Sequence, residues 1–167
     1  MLIGLPSPNL RSNGYSLARR VLLDRADVSL DAPAFEGAHH SLGDELLAPS
    51  VIYSPAIGAL LRKVDVRAVA HITGGGIAGN LSRVLPPRGD ALLDRRTWEA
   101  PRVFSEIQRL GDVTDDEMSK VFNMGLGMVA VVPARDAFKA IDVLRSHGHQ
   151  AKEVGEIVDG HGEVRFA

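Results

Sequence analysis

Residues 66–76, Val-Arg-Ala-Val-Ala-His-Ile-Thr-Gly-Gly-Gly, decide how this chain folds. The apolar run at 66–72 is typical of a short strand, and residues 76–85 (Gly-Ile-Ala-Gly-Asn-Leu-Ser-Arg-Val-Leu) have the pattern of an amphipathic helix. Successive glycines between the two let the backbone turn tightly and leave its N–H groups uncovered. The sequence therefore predicts a strand, a glycine turn and a helix as one continuous unit.

The glycine turn has two interpretations. Uncovered amides where a helix begins favour an anion, so Thr73, Gly74, Gly75 and Gly76 can cradle a phosphate or carboxylate. The same residues also suit a tight strand-to-helix turn that binds nothing, and no Lys-Ser/Thr pair follows as in a P-loop. His71, directly before the turn, is either an acid or base near pH 7 or a structural side chain.

Outward from the glycine turn, strands and helices alternate along the chain. Strands are predicted at 1–5, 66–72, 91–93 and 127–132, with a closing hairpin of 154–158 and 164–166. Helices are predicted after Ser12 and at 41–47, 53–64, 76–85, 101–110, 114–122 and 136–147, with a loop at 27–40. This order predicts an α/β (α+β) fold with a mixed sheet layered with helices, and not a purely parallel Rossmann sheet.

A second strand-to-helix junction carries groups suited to an anion. Ser12 or Asn13 can simply cap the helix that follows, whereas the Arg11 guanidinium can bind a phosphate through two hydrogen bonds. If both junctions lie at one edge of the sheet, they line a single crevice. Asn123, in the turn before the strand at 127–132, either ends a helix or hydrogen-bonds a ligand.

Composition limits the classes of function. The 167 residues suit one domain, and a formal charge of −2 gives no electrostatic reason to expect nucleic acid or an anionic membrane as a partner. The absence of cysteine excludes disulfides, thiolate metal sites and a cysteine nucleophile, and no histidine pattern predicts a metal site. With no long apolar run and no signal-peptide pattern, we expect a cytoplasmic protein.

Several stretches, taken in order, resemble one enzyme family. They are Asn-Leu-Arg-Ser-Asn-Gly-Tyr-Ser-Leu-Ala-Arg (9–19), His-Ile-Thr-Gly-Gly-Gly (71–76), Asn-Leu-Ser-Arg-Val-Leu-Pro (80–86), Phe-Asn-Met-Gly-Leu-Gly-Met (122–128) and Val-Gly-Glu-Ile-Val (154–158). Together they are similar to the C-terminal half of aminoimidazole ribonucleotide synthetase, also called phosphoribosylformylglycinamidine cyclo-ligase. The resemblance covers residues 2–166, so residues 1–167 are expected to form one C-terminal domain.

The resemblance implies a step of purine synthesis. ATP with Mg²⁺ activates the formyl oxygen of formylglycinamidine ribonucleotide, and a nitrogen then displaces phosphate to close the imidazole ring. It also implies a missing N-terminal domain that brings most of the ATP and metal site and pairs into a homodimer. The opening residues, which read as a strand already under way, fit a domain cut from a longer chain. The domain alone is then expected to be inactive and to expose an apolar face where the other half docks.

Carried over position by position, the resemblance implies substrate contacts for Ser12 and Asn13, an anion turn for Thr73 to Gly76, and a contact for Asn123. The family usually has histidine where this chain has Arg11, which can keep a phosphate contact but not exchange a proton near pH 7. Two alternatives stay open. One is a domain of a related enzyme such as formylglycinamidine ribonucleotide synthase, and the other is a non-catalytic anion-binding module.

Overall fold

A computed structural model describes all 167 residues, and its centre is a six-stranded sheet. The strands are β1 (Leu2–Pro6), β2 (Ala68–His71), β3 (Gly89–Leu93), β4 (Leu126–Val131), β5 (Lys152–Asp159) and β6 (Val164–Phe166). The α-helices are α1 (Tyr15–Arg19), α2 (Leu42–Leu47), α3 (Ser54–Lys63), α4 (Gly76–Leu81), α5 (Arg102–Gly111), α6 (Asp115–Val121) and α7 (Ala137–Ser146). The α/β fold predicted from the sequence is confirmed.

The sheet is mixed, as predicted. Its strand order is β2-β4-β1-β5-β3-β6, and every neighbouring pair is antiparallel except β3 with β6. β1 and β2 both run antiparallel to β4, which lies between them, so they point in the same direction. Their C-terminal ends therefore meet at one edge of the sheet, where β4 begins.

Helices cover both faces of the sheet. Ile3 and Leu5 of β1 pack into a cluster with the buried sides of α3 and α7. Leu2, from the same strand, packs on the opposite face with Ile77 and Leu81 of α4. Because successive side chains of a strand point to opposite faces, β1 is apolar throughout and buried on both sides.

A third apolar cluster lies among α1, α2, α5 and α6. Phe104 of α5 and Phe122, just after α6, have ring centroids 5.4 Å apart and are fully buried at its centre. This cluster supports the segment between β1 and α1, where part of the candidate site is found. The predicted loop at 27–40 has no helix or strand, apart from a single bridge of Pro33 with Ser41.

The predicted closing hairpin is wrong. β6 pairs with β3 in parallel, so β3 lies between β5 and β6. The chain crosses over the start of β3, where the buried carboxylate of Asp90 accepts hydrogen bonds from the amides of His161 (2.7 Å) and Glu163 (2.9 Å). Arg165 adds an ion pair with Asp90 at 2.6 Å, which fixes β6 on the far side of β3.

The start of α1 also differs from the prediction that Ser12 or Asn13 caps it. The helix begins after Gly14, whose backbone has a φ of 78°, and no side chain accepts a hydrogen bond from the first N–H groups of the helix. A Cβ atom on Gly14 would lie 2.2 Å from the Phe122 ring, so only glycine allows this approach. α1 then continues as a π-helical turn over Arg20–Arg25. Ser12 and Asn13 are thereby left free of a role in the helix.

Candidate functional site

Three loop segments meet at the sheet edge where β1 and β2 end and β4 begins. We call this the site edge, and its segments are residues 9–14, 72–76 and 122–127. Contacts between them are direct: the Asn123 side chain donates to the carbonyl of Asn9 at 2.9 Å. A Cβ atom placed on Gly74 would lie 3.9 Å from Oδ1 of Asn13. The two strand-to-helix junctions therefore lie next to each other at one edge of the sheet, and the ligand crevice between them stays a prediction.

Arg11 lies inside the site edge and not on its surface. Its side chain is buried, and its guanidinium donates to the carbonyl oxygen of Gly127 at 3.0 Å and contacts Nε2 of His71. The same group lies 5.6 Å from the centroid of the Tyr53 ring. Arg11 has a φ of 64°, and Asn9 Oδ1 accepts its amide at 3.0 Å. Arg11 therefore links the 9–14 segment to Gly127 and to His71 at the end of β2, and places a buried positive charge at the site edge.

His71 is exposed at the end of β2, where its Nε2 faces Arg11. An arginine can only donate, so Nε2 acts as the acceptor and the ring is neutral. Loss of water around this edge of the ring, together with the Arg11 charge, lowers the pKa of His71. Nδ1 has no partner within the chain.

Ser12 and Asn13 lie at the mouth of the site edge, one exposed and one half-buried. Their backbone N–H groups have no acceptor within the chain. Uncovered amides in a concave backbone segment are suited to binding an anion.

The glycine turn has the same property. Gly74 and Gly75 are exposed, and their amides also lack an acceptor within the chain. Gly75 and Gly76 have φ of 96° and 65°, which side-chain-bearing residues rarely adopt. A Cβ on Gly76 would lie 1.8 Å from the carbonyl oxygen of Ser119 in α6. Backbone conformation and packing both require glycine at Gly76.

Asn80 holds the glycine turn in shape, and the sequence analysis gave it no role. It is buried in α4, and its side-chain amide donates to the carbonyls of Gly76 at 2.7 Å and of Thr73 and Gly74 at 3.2 Å. Its Oδ1 accepts from the Thr73 hydroxyl at 3.1 Å. Because an asparagine is unfavourable within a helix, its place four residues after Gly76 was the available signal.

Asn123 does not face the crevice. It is 2% exposed, its Nδ2 donates to the carbonyls of Asn9 and Leu10, and its Oδ1 accepts the amide of Gly125 at 2.9 Å. All of its polar atoms are thus used within the chain. Asn123 positions the loop that carries Arg11, Ser12 and Asn13, and this structural use was the sequence-based alternative to a ligand contact.

Two open grooves flank the site edge. One, of about 500 Å³, is lined mainly by apolar side chains (Val51, Ile57, Leu61 and Met128) and ends at His71. The other, of about 540 Å³, is polar and runs beside Gly75 and Gly79. We call them the apolar groove and the polar groove. The apolar groove reaches His71, two residues before the glycine turn, and its use as the expected docking face stays a prediction.

Neither a metal cluster nor a membrane span is found. No group of three or more His, Asp and Glu side chains is placed to hold an ion. None of the helices combines the length and apolar character that crossing a membrane requires.

The sequence of the chain matches a known protein family. Residues 1–167 match the family described as AIR synthase related protein, C-terminal domain. The chain belongs to this family. The resemblance seen in the sequence is confirmed over the whole chain.

Curated relatives of the chain include phosphoribosylformylglycinamidine cyclo-ligases. A Myxococcus xanthus phosphoribosylformylglycinamidine cyclo-ligase is 51% identical over 98% of the chain, which covers 47% of that protein. The Arabidopsis thaliana protein of the same name, designated chloroplastic, is 43% identical over 97% of the chain and is covered to 41%. The domain spans about half the length of the curated relatives it matches, which is consistent with a separate N-terminal part.

Solved structures share the fold at low sequence identity. Thiamine-monophosphate kinase from Stenotrophomonas maltophilia matches with a TM-score of 0.60 and 17% identity, over 99% of this chain and 49% of that one. Hydrogenase Maturation Protein HypE in complex with ATP matches with a TM-score of 0.62 and 14% identity, over 98% of this chain and 47% of that one. These likenesses show the fold of the chain and not its chemistry.

Proposed function

We propose that this domain is the C-terminal part of an ATP-dependent phosphoribosylformylglycinamidine cyclo-ligase, which closes the imidazole ring in de novo purine synthesis. The relatives that carry this name support it, at up to 51% identity. Their name also favours the ligase over a formylglycinamidine ribonucleotide synthase. The structural observation that carries the proposal is the pair of uncovered backbone segments at one edge, 12–13 and 74–75.

The uncovered amides suit the phosphate of the ribonucleotide substrate. Ser12, Asn13, Gly74 and Gly75 together have four N–H groups without an acceptor within the chain, on two neighbouring loop segments. Backbone donors bind anions without having to be reoriented, because the fold already fixes their direction. Asn80 and Asn123 serve as positioning residues, one for each segment. Thr73 closes the glycine turn through Asn80.

Arg11 contributes charge without direct contact. Arg11 is buried, and its guanidinium contacts the Gly127 carbonyl, His71 and the Tyr53 ring. A positive charge beneath an anion site still attracts the ligand, since partly buried charges are screened less than exposed ones. The bidentate phosphate contact predicted from the sequence would require Arg11 to leave these partners.

This domain has groups that can bind a phosphate of ATP but no cluster of side chains that can bind Mg²⁺. Uncovered amides can receive a phosphate of the nucleotide, but no carboxylate cluster is present for the metal. We therefore assign the metal ligands and most of the ATP site to the N-terminal domain. When bound, ATP supplies the phosphoryl group that activates the formyl oxygen, with Mg²⁺ offsetting its charge. This chain's own contribution is to bind and orient the ribonucleotide.

The remaining proposals concern the whole enzyme. The domain alone is inactive, because the metal and most ATP ligands lie in the other half. The N-terminal domain docks at the apolar groove, where Leu61 is 57% exposed. The full protein is a cytoplasmic homodimer paired through its N-terminal halves, with neither nucleic acid nor membrane as a partner.

Isothermal titration of the domain with formylglycinamidine ribonucleotide tests the proposal, with ATP–Mg²⁺ as a comparison. We expect binding of the ribonucleotide that weakens with salt and is lost in Gly75→Val, because valine rarely adopts the φ of 96° that the glycine turn requires. Gly79→Ala, where nothing lies within 4 Å of the new Cβ, is the matched control and should bind normally. Binding that survives Gly75→Val would contradict the assignment of the phosphate to the glycine turn. An inactive module that binds any anion would take inorganic phosphate equally well.

A further inference from the structure

His71 is placed between a buried cation and an apolar groove, and this placement restricts what its ring can do. We propose that Arg11 fixes His71 as the neutral tautomer with hydrogen on Nδ1, so that His71 donates a hydrogen bond to an oxygen of the bound ligand and does not act as a base. The identity of that ligand rests on the proposed function, whereas the tautomer does not.

The contact between the two side chains determines the tautomer. The Arg11 guanidinium has donors only, so the atom of His71 that it touches must be an acceptor. That atom is Nε2, and a neutral imidazole with a lone pair on Nε2 carries its hydrogen on Nδ1. Arg11 itself is held by Gly127, at 3.0 Å from its carbonyl oxygen, and cannot turn away without losing that bond.

None of the groups around His71 offsets the positive charge of Arg11. Arg11 is a neighbouring cation, and Tyr53 of the α3 start is a neutral ring whose hydroxyl donates to Pro6 at 2.7 Å. His149 stacks on the far side of Tyr53, with centroids 5.3 Å apart. β4 contributes the Gly127 carbonyl, already bound by Arg11, and the uncharged Met128. No carboxylate pairs with His71, so nothing offsets the repulsion from Arg11.

The hydrogen on Nδ1 is free to donate a hydrogen bond to a ligand. Nδ1 has no partner in the chain, and His71 lines one end of the apolar groove. The other polar side chains of that lining are Tyr53, whose hydroxyl is engaged, and Ser54. A ligand that reaches this end therefore meets a fixed donor in apolar surroundings, which selects a carbonyl, amide or phosphate oxygen over a donor group.

Nitrogen-15 NMR of the imidazole rings tests the tautomer without any ligand. Two-bond correlation spectra should show His71 with a protonated Nδ1 and an unprotonated Nε2 at pH 7, and a pKa below the ordinary value. Arg11→Met should raise the pKa of His71 and allow the hydrogen to occupy either ring nitrogen. Arg67→Met removes an exposed arginine next to the start of β2 and should change neither property. His39, exposed in the 27–40 loop, gives the internal reference.

A protonated Nε2 in the native chain would overturn the proposal, and so would a folded Arg11→Met variant with unchanged spectra. If Arg11→Met does not fold, the native spectrum alone tests the proposal, because it shows which ring nitrogen of His71 carries the hydrogen. A ligand test uses His71→Asn, whose amide nitrogen occupies the position of Nδ1, and His71→Gln, whose amide nitrogen lies further out like Nε2. Titrated with formylglycinamidine ribonucleotide, His71→Asn should bind about tenfold more tightly than His71→Gln.

The two tests separate the two proposals. Equal weakening in both His71 variants would overturn the donor role while leaving the proposed function intact. No binding by the native domain would count against the proposed function in this domain, while the NMR result on the tautomer would stand on its own.

Discussion

The side-chain amide of Asn80 lies 2.7 Å from the carbonyl oxygen of Gly76, the first residue of its own helix. The same nitrogen reaches back to Thr73 and Gly74, so a single residue in α4 holds the loop that precedes α4. The turn therefore keeps its shape without a ligand, and the free amides of Gly74 and Gly75 are held in fixed positions. Preorganisation of this kind lowers the cost of binding.

Replacing Asn80 should loosen the turn and destabilise the domain. Asn80→Leu preserves most of the volume but leaves the turn carbonyls without their buried donor, at a cost of about 1–3 kcal/mol in unfolding free energy. Urea denaturation measures the change. Ser82→Ala, an exposed position one residue after α4, is the control and should stay within about 0.5 kcal/mol. An unchanged midpoint for Asn80→Leu would show that the turn is held by packing alone.

Gly76 and Gly79, three residues apart in α4, should respond oppositely to the same substitution. Gly76→Ala adds a methyl group that meets the Ser119 carbonyl in a left-handed conformation, which should destabilise by at least about 2 kcal/mol. Gly79→Ala places its methyl group in open space and should stabilise by about 0.5–1 kcal/mol, because alanine is the better helix former. Thermal unfolding of both variants checks the prediction, and the same sign for the two would contradict it.

Asp90 should make the stability of the domain depend on pH in acid. Hydrogen bonds from the amides of Glu163 and His161 lower the pKa of its carboxyl below the ordinary 3.8, with help from Arg165. A lowered pKa means that Asp90 stabilises the fold above about pH 4, and that this contribution is lost as the pH falls through the folded-state pKa. Asp90→Asn should therefore lower stability at pH 7 and differ little from the native chain near pH 2.

Denaturation at both pH values tests Asp90, with exposed Asp159→Asn as the control for a lost surface charge. Hydrogen exchange should in addition report faster exchange in β6 of Asp90→Asn. If exchange in β6 is unchanged, the carboxylate does not hold that strand.

Asn123→Asp should have the opposite pH dependence. The new carboxyl would be buried and would face the carbonyl oxygens of Asn9 and Leu10, so only its protonated form can donate to them. Its folded-state pKa is then raised, and the variant loses stability as the pH rises through that value. We expect a loss of about 3–5 kcal/mol at pH 7 and a much smaller one near pH 4. Equal losses at both pH values would argue against burial of this group.

Much of the fold follows from local sequence signals. The helix periodicity of α5 and α7, the apolar run of β4 and the glycine turn before α4 were all predicted within a few residues. The partner of β6 was not, because strand pairing depends on the distant Asp90 carboxylate and not on the turn at 160–162. The start of α1 was missed for a similar reason, since Gly14 is fixed by the Phe122 ring, far away in sequence.

The site was predicted in outline. The parallel direction of β1 and β2 brought 11–13 and 73–76 together as the sequence suggested. What the sequence did not reveal is which side chains face inward. Arg11 and Asn123 have the residue types of ligand contacts, yet both are buried because the backbone around them needs hydrogen-bond partners.

The placement of β6 also bears on how the domain behaves at high concentration. An open strand edge pairs readily with another molecule, and long flat edges promote aggregation. Here the outermost strands, β2 and β6, have only four and three residues, and β6 covers the edge of β3. Removing the final residues would leave the longer β3 uncovered beside an apolar interior. Strand β6 thus covers the edge of β3 and disfavours self-association of the domain.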